Sequence, residues 1–477
     1  MRRLSFFPLS LLGATVLAGC SALGPDYAGP PDGTPIPTGF ARTGSAAAIS
    51  SAAPLARWWQ GFNDAELDRL VERALAANPD MAAARARLRN ARLAVDLEQA
   101  ARLPTAGLSA MAAKVRVPEV KFGEQSIDSQ WLSLYTLGAN ASWEADLFGS
   151  HARSVQAAGA SAQATAANLA DVQLSLTAEV AQNYVALRAA QKRLALSREA
   201  VARQERMLAL MQQRYNGGTA SRLDVSKLAS QLDSTRAELP AQQADIETHG
   251  NALAVLLGLA PGSLDAELAA ATELPLPPAT VAVGDPAGLL KRRPDVRAAE
   301  RTLAARTAQI GMAEAAKFPQ LKFSGMLGLG GSSISDLGHL GDFTLALLPQ
   351  LSWSFLDFGR NAARISQAEA SRDEAQALYR SQLLAALKDA ENALSRFGHR
   401  RLAVASYARA KAAADEAAAL TGQRQRGGTA STLELLDAER QQILAEQNLL
   451  GALAGLSSDY IGLQKALGLG WEAELPS

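Results

Sequence analysis

The chain has 477 residues, 48% of them hydrophobic but only 5% aromatic, with one cysteine, four histidines and a formal charge of zero. A nucleic-acid binder needs a basic surplus to displace counterions from phosphates, and a lone cysteine builds neither an internal disulfide nor a cysteine-rich metal site. Much of the hydrophobic share is alanine, which packs helices closely without filling a thick core, so the composition suits long helices in thin layers better than a compact enzyme.

At the N-terminus, Met1, Arg2 and Arg3 precede a mostly apolar stretch, 4–17, and Leu17-Ala18-Gly19-Cys20 follows at once. This pattern predicts a signal peptide over 1–19, with small residues ahead of the cleavage point. The only cysteine falls directly behind them, an arrangement that resembles the bacterial lipoprotein signal, in which the cysteine is lipidated and becomes the new N-terminus. Cys20 is therefore the expected lipid anchor, and Ser21 in place of aspartate implies the outer membrane. A plain signal peptide with an incidental cysteine is the alternative. Residues 20–57 are rich in Pro, Gly, Ala and Ser and read as an extended, lipid-anchored tether. No other run of 18 apolar residues exists to form a transmembrane helix.

The rest of the chain repeats itself. Arg214-Tyr215-Asn216-Gly217-Gly218-Thr219-Ala220-Ser221 recurs as Arg424-Gln425-Arg426-Gly427-Gly428-Thr429-Ala430-Ser431, an offset of 210, and Ser142-Trp143 recurs at the same offset as Ser352-Trp353. Upstream the offset is 215: Pro79-Asp80 matches Pro294-Asp295, and Pro104 matches Pro319. The chain therefore reads as two copies of one unit. The first, 58–259, runs helix (about 70–102), β-hairpin (about 105–148), long helix (150–214), tip turn (215–221) and helix (222–257). A Pro-rich connector, 260–288, leads to the second copy, 289–477, with its hairpin at about 320–358, long helix at 362–424 and tip turn at 425–431. Leu187, Leu194, Val201, Leu208 and Tyr215 recur every seven residues, the spacing of a coiled-coil seam.

The hairpin segments alternate. Phe343, Leu345, Leu347, Leu351, Trp353 and Phe355 take one side against Thr344, Gln350, Ser352 and Ser354, and Leu137, Ala139, Ala141 and Trp143 oppose Gly138, Asn140 and Ser142. Such runs, separated by Gly-rich or polar loops, are the signature of an outer-membrane barrel strand, with a soluble two-layer sheet as the alternative. Four strands cannot close a barrel, and an open edge in lipid leaves backbone groups unsatisfied, so membrane-spanning strands require an oligomer; three chains give twelve.

At this point the residues resemble the outer-membrane factors of tripartite efflux pumps of the RND type, the TolC/OprM/NodT-like lipoproteins. Trp58-Trp59-Gln60-Gly61-Phe62-Asn63-Asp64 with Asn78-Pro79-Asp80 is similar to the family's opening helix. Arg292-Arg293-Pro294-Asp295-Val296-Arg297 resembles its internal signature, and Gly24-Pro25-Asp26-Tyr27 the segment behind the lipidated cysteine. The resemblance implies a mainly α, internally duplicated fold with a small β part: a long α-helical coiled-coil barrel and a transmembrane β-barrel of four strands per chain. It also implies a homotrimer in the outer membrane, reaching into the periplasm to meet an adaptor (membrane-fusion) protein and an inner-membrane RND pump. The trimer would serve as a passive exit duct for small molecules or drugs. The two tip turns, Gly217, Gly218, Thr219 and Ser221 with Gly427, Gly428, Thr429 and Ser431, would contact adaptor and pump.

The residues after each tip turn carry two compatible readings. Ser221 with Asp224, and Ser431 with Glu434, fit capping boxes, and acids at a helix start favour its dipole. The resemblance adds a periplasmic gate: Leu433 as an apolar ring, Glu434 and Asp437 as acidic rings, with Arg440 able to pair with Asp437, and Asp224 in the first copy. Gln425 and Ala430 stand where some relatives carry latch residues. No catalytic motif, metal-ligand spacing or phosphate loop is legible, so neither an enzyme nor a cofactor is expected. The alternatives are an outer-membrane duct of a type I secretion or ABC exporter, and a periplasmic coiled-coil scaffold lipoprotein without a pore.

Overall fold

The computed structural model describes residues 22–30, 36–42, 49–50, 56–118, 120–122, 125–127, 129–338, 341 and 343–471; the signal peptide and Cys20 lie outside the described residues. In chain order the elements are β1 (Ile49–Ser50), α1 (Ala65–Ala77), α2 (Pro79–Ala100), β2 (Thr105–Val117), β3 (Val120–Phe122), β4 (Gln125–Ile127), β5 (Gln130–Ala145), α3 (Ser150–Asn216) and α4 (Arg222–Leu256). Then follow α5 (Asp265–Leu268), β6 (Val281–Ala282), α6 (Pro286–Arg292), α7 (Pro294–Ala315), β7 (Gln320–Gly331), β8 (Phe343–Ser352), α8 (Arg360–Arg426) and α9 (Thr432–Ala466). Helices α3 and α8 have 67 residues each, and α4 and α9 have 35 each. At 1.5 Å per residue the longer pair extends about 100 Å.

One element differs from the sequence expectation. The opening helix is two helices, broken at Asn78, whose ψ of 131° is extended. A residue before proline is pushed out of the α region, and proline then suits the first helical position. The same break recurs at Arg293, with ψ 119°, before Pro294.

The chain divides into two compact units. One comprises residues 1–32, 88–165 and 299–379 and holds the sheet, in the order β2-β5-β7-β8, antiparallel throughout. Paired positions share a face. One face therefore carries Leu108 from β2, Leu137 and Trp143 from β5, Phe323 and Leu327 from β7, and Leu345, Leu347 and Leu351 from β8. The opposite face is mixed: it carries Ser109, Asn140, Ser142, Ser324, Gln350 and Ser352 beside Met111, Leu132, Leu134 and Leu348. Met326 belongs with that second face. The apolar face is open to its surroundings, with Leu108 87%, Leu345 71% and Leu347 72% exposed. A water-facing sheet would cover or polarise such a face.

The second unit comprises residues 33–87, 166–298 and 380–477. Its aromatic core sets Trp58 edge-on to Trp59, Phe62 and Tyr460 at ring separations of 5.9, 6.4 and 6.1 Å. The Tyr460 hydroxyl donates to the Trp58 carbonyl at 3.2 Å. Asp64 caps α1 by accepting from the amides of Glu66 and Leu67. It also accepts from the buried Tyr184 hydroxyl at 3.1 and 2.9 Å, which ties the opening helix to α3; burial pushes that phenol up to about 12. The seven-residue seam is buried at Leu187 and Leu194, while Tyr215 at the tip end is 42% exposed.

Candidate functional site

The two repeated tip motifs fold into turns of the same design. Helix α3 ends with the Arg214 carbonyl accepting from the Thr219 amide at 2.8 Å and its hydroxyl at 3.0 Å. Helix α8 ends with the Arg424 carbonyl accepting from Thr429 in the same two ways, at 2.9 and 3.1 Å. Gly218 and Gly428 have φ of 72° and 74°, the left-handed conformation in which glycine ends a helix without a Cβ penalty. Gly217 and Gly427 donate to the Gln213 and Gln423 carbonyls at 3.0 Å each.

Both capping boxes form. The Ser221 hydroxyl accepts from the Asp224 amide at 3.1 Å, and Ser431 does the same for Glu434 at 3.1 Å. The Glu434 carboxylate in turn accepts from the Ser431 amide at 2.6 Å, and that bond, first among its causes, holds its carboxyl below the usual range. Asp224 is engaged likewise, accepting from the Ser221 hydroxyl at 2.7 Å. Asp437 accepts from Arg440 at 2.9 Å, with 66% of its side chain exposed. Leu433 is 38% exposed. A cavity of about 270 Å³ opens between α3, α4 and α9, lined by Arg203, Lys227, Leu228, Leu433, Asp437 and Arg440 among others. It gathers three of the five expected gate residues on one surface: Leu433, Asp437 and Arg440 line it, whereas Asp224 and Glu434 serve the helix caps.

One contact here escaped sequence reasoning. Arg214 Nη1 donates to the hydroxyl of Thr432, a buried residue at the start of α9, at 2.7 Å and so joins the two tips within one chain. Its counterpart Arg424 bends back onto its own turn, reaching the Thr429 carbonyl at 3.1 Å. The partners are 218 residues apart, and no local pattern signals such a pairing.

Two further motif groups take structural roles. Arg293 Nη1 donates to the Ala466 carbonyl at the end of α9, at 3.1 Å, while its other nitrogens hold Asp295 at 3.0 and 2.5 Å. Burial alone would push the Asp295 carboxyl up; the bonds from Arg293 outweigh it and hold the group below the usual carboxylate range. In the first half Asn78 performs the same closure, donating to the Leu256 carbonyl at 2.9 Å. Near the N-terminus, Arg153, with 3% of its side chain exposed, donates to the carbonyls of Ala22, Leu23 and Gly24 and to the Asp26 carboxylate at 2.7 Å. A Cβ on Gly24 would lie 2.4 Å from the Gly311 Cα, so the backbones meet where only glycine fits. Tyr27 adds a bond to Glu300 at 3.0 Å. Residues 22–27, within the stretch expected as a tether, are thus seated on α3 and α7.

The model of the family described as outer membrane efflux protein matches this chain twice, over residues 70–259 and 286–469. The chain belongs to that family. Nodulation protein T of Rhizobium leguminosarum bv. trifolii is 31% identical over 457 residues, 96% of each chain. Outer membrane protein OprJ of Pseudomonas aeruginosa is 32% identical over 482 residues, covering 99% of this chain and 97% of the relative. Among solved structures, the outer-membrane channel OprN is similar at 34% identity and a TM-score of 0.86, over 94% of this chain and all of the other. The family is one of outer-membrane efflux channels rather than enzymes, and this outer-membrane efflux protein combines long helices with a small four-stranded sheet.

Proposed function

We propose that three copies of this chain form a passive exit duct, anchored through lipidated Cys20, gated at the periplasmic helix tips and coupled there to an adaptor and an inner-membrane RND pump. The observation that carries this reading is the pair of open sheet edges, β2 and β8, beside a face that is largely apolar, in a member of the efflux family. Backbone groups on those edges find no water in lipid and must pair with another chain. The two 67-residue helices supply reach toward an inner-membrane partner.

At the tip, Asp437 is the gate acid. Unlike Asp224 and Glu434 it is not consumed by a cap, and in a trimer three such carboxylates concentrate a negative field on the axis, which favours cations. Planar-bilayer recording tests the reading. Purified protein should form channels, and Asp437→Ala should raise single-channel conductance and weaken cation selectivity. Protein that never conducts, with or without that substitution, would refute the duct and leave the non-pore scaffold.

A further inference from the structure

The sheet changes character where its first hairpin outgrows it. The β5–β7 ladder ends with Tyr135 opposite Gly331, but β2 and β5 run on together for five more pairs, from Ala113 opposite Leu134 to Val117 opposite Gln130. Within the four-stranded part, the face of Leu108, Leu137, Leu327 and Leu347 carries no charge. On the projecting part the two faces exchange roles. The side continuous with Leu108 now holds Lys114, Arg116, Ser133 and Trp131, and the other side holds Ala113, Val115, Leu132 and Leu134. Lys114 and Arg116 are exposed, and the Lys114 ammonium lies 5.6 Å from the centre of the Trp131 ring. The only other charged residues of these four strands, Glu144 and Lys322, sit opposite each other on the second face.

Two tryptophans on one face of β5, Trp143 and Trp131, give the depth of this change. At about 3.4 Å per residue and a strand tilt of about 40°, their separation spans roughly 30 Å, against roughly 25 Å for the apolar band of an outer-membrane barrel. Tryptophan favours the two borders of such a band, so the residues beyond Tyr135 reach the headgroup layer. Trp143 marks the border nearer α3. Trp131 and the two cations mark the far border, which faces the exterior in the duct reading above. We infer that Lys114 and Arg116, framed by Trp131, bind phosphate groups of outer-leaflet lipid and hold the β2–β5 hairpin in the headgroup layer. This rests on the membrane-spanning reading of the sheet and adds a ligand that the reading does not itself require.

Charge and geometry favour a lipid phosphate over plain water on this side. An aqueous surface accepts either sign, yet the strands place two cations and no acid here. Asp336 stands on the same face, since a Cβ on Gly331 would meet its carboxylate, but that carboxylate already accepts from the Ser333 amide at 2.8 Å. Among the described residues neither cation has a carboxylate partner. The connecting residues, 118–129, carry three acids against one lysine, so a phosphate in the membrane border meets net positive charge at the strand pair rather than at the turn. The two side chains are about 7 Å apart along one face, close enough to share one headgroup. Their aliphatic stems can lie along the apolar band while the charged ends reach the phosphates, and the guanidinium fork matches phosphate oxygens.

Native mass spectrometry of the full-length chain in neutral detergent tests the site, with diphosphorylated lipid A, its dephosphorylated form and inorganic phosphate as probes. Lys114→Gln with Arg116→Gln should weaken binding of diphosphorylated lipid A about thirtyfold, at about fivefold per cation near a charged surface. The loss should shrink in high salt. Glu144→Gln with Lys322→Gln, on the other face, should bind like the parent chain, and the mass of each assembly verifies folding. Dephosphorylating the lipid should cost the parent chain as much as the double substitution does. Equal binding by the parent and the Lys114/Arg116 variant, or of the two lipid forms by the parent, overturns the site. Inorganic phosphate that competes at the concentration of the lipid overturns the lipid as its ligand. Flotation with phosphatidylcholine vesicles separates the failures. A chain that inserts but does not discriminate phosphate refutes this site alone, and one that stays in the aqueous fraction refutes the membrane-spanning reading and the site together.

Discussion

Ser431 and Glu434 illustrate how much a single tip residue does. Their reciprocal bonds satisfy amides that the first turn of α9 leaves without partners. Ser431→Ala should cost about 1 kcal/mol of local stability, read as faster hydrogen exchange at residues 432–436 with α3 unaffected. The pH dependence follows from the depressed Glu434 pKa. Its stabilisation is complete above the unfolded glutamate value of about 4.3 and is lost as pH falls through the lower folded value, because protonation removes the charge that the Ser431 amide binds. Tip exchange in the parent chain should therefore approach that of Glu434→Ala in acid, the Ser431 hydroxyl bond being kept in both; a difference that persists below both values would contradict the assignment. These caps were legible from four-residue spacings. The Arg214–Thr432 bond was not, since it depends on how two turns 210 residues apart in sequence come together.

At the scale of elements, proline and its preceding residue organise both opening helices. The Arg293 guanidinium spans three groups, Asp295, Asp389 and the Ala466 carbonyl, with only 12% of its side chain exposed. Arg293→Ala strands the Asp295 carboxylate and uncaps α9, and should destabilise the fold by about 3 kcal/mol, measured by thermal unfolding in detergent. Arg293→Lys should rescue it only partly, because a lysine ammonium lacks the planar fork that holds Asp295 through two nitrogens. If the alanine and lysine variants unfold alike to the parent chain, the closure role fails. The sequence motif marked this position, but its partner at the far end of the chain was visible only in the fold. The helix break at Asn78 could have been anticipated from Pro79, whose steric demand on the preceding residue ends the first helix.

For the whole molecule, the sheet faces decide what surrounds it. Neighbouring residues of β8 alternate between the two faces, which predicts opposite outcomes for adjacent substitutions. Under the proposed trimer, Leu347→Arg, on the apolar face, should cost up to about 2–4 kcal/mol and reduce the native oligomer measured in detergent. Leu348→Arg, on the face shared with Gln350 and Ser352, should leave the oligomer nearly intact. Equal loss from both would argue against a lipid-facing side.

The sequence by itself determined the helical rods, the two tip turns, the caps and the alternating strands, because periodicity, glycine and capping chemistry act over a few residues. It also carried the family through motifs in a fixed order. The tertiary structure alone decided the strand order β2-β5-β7-β8, the shared face of Leu108, Trp143, Phe323 and Leu347, the seating of residues 22–27 on Arg153, and the closure of α9 by Arg293. Each of these joins groups far apart in the chain, where the energy comes from ladder hydrogen bonds and from satisfying buried charge rather than from local preference.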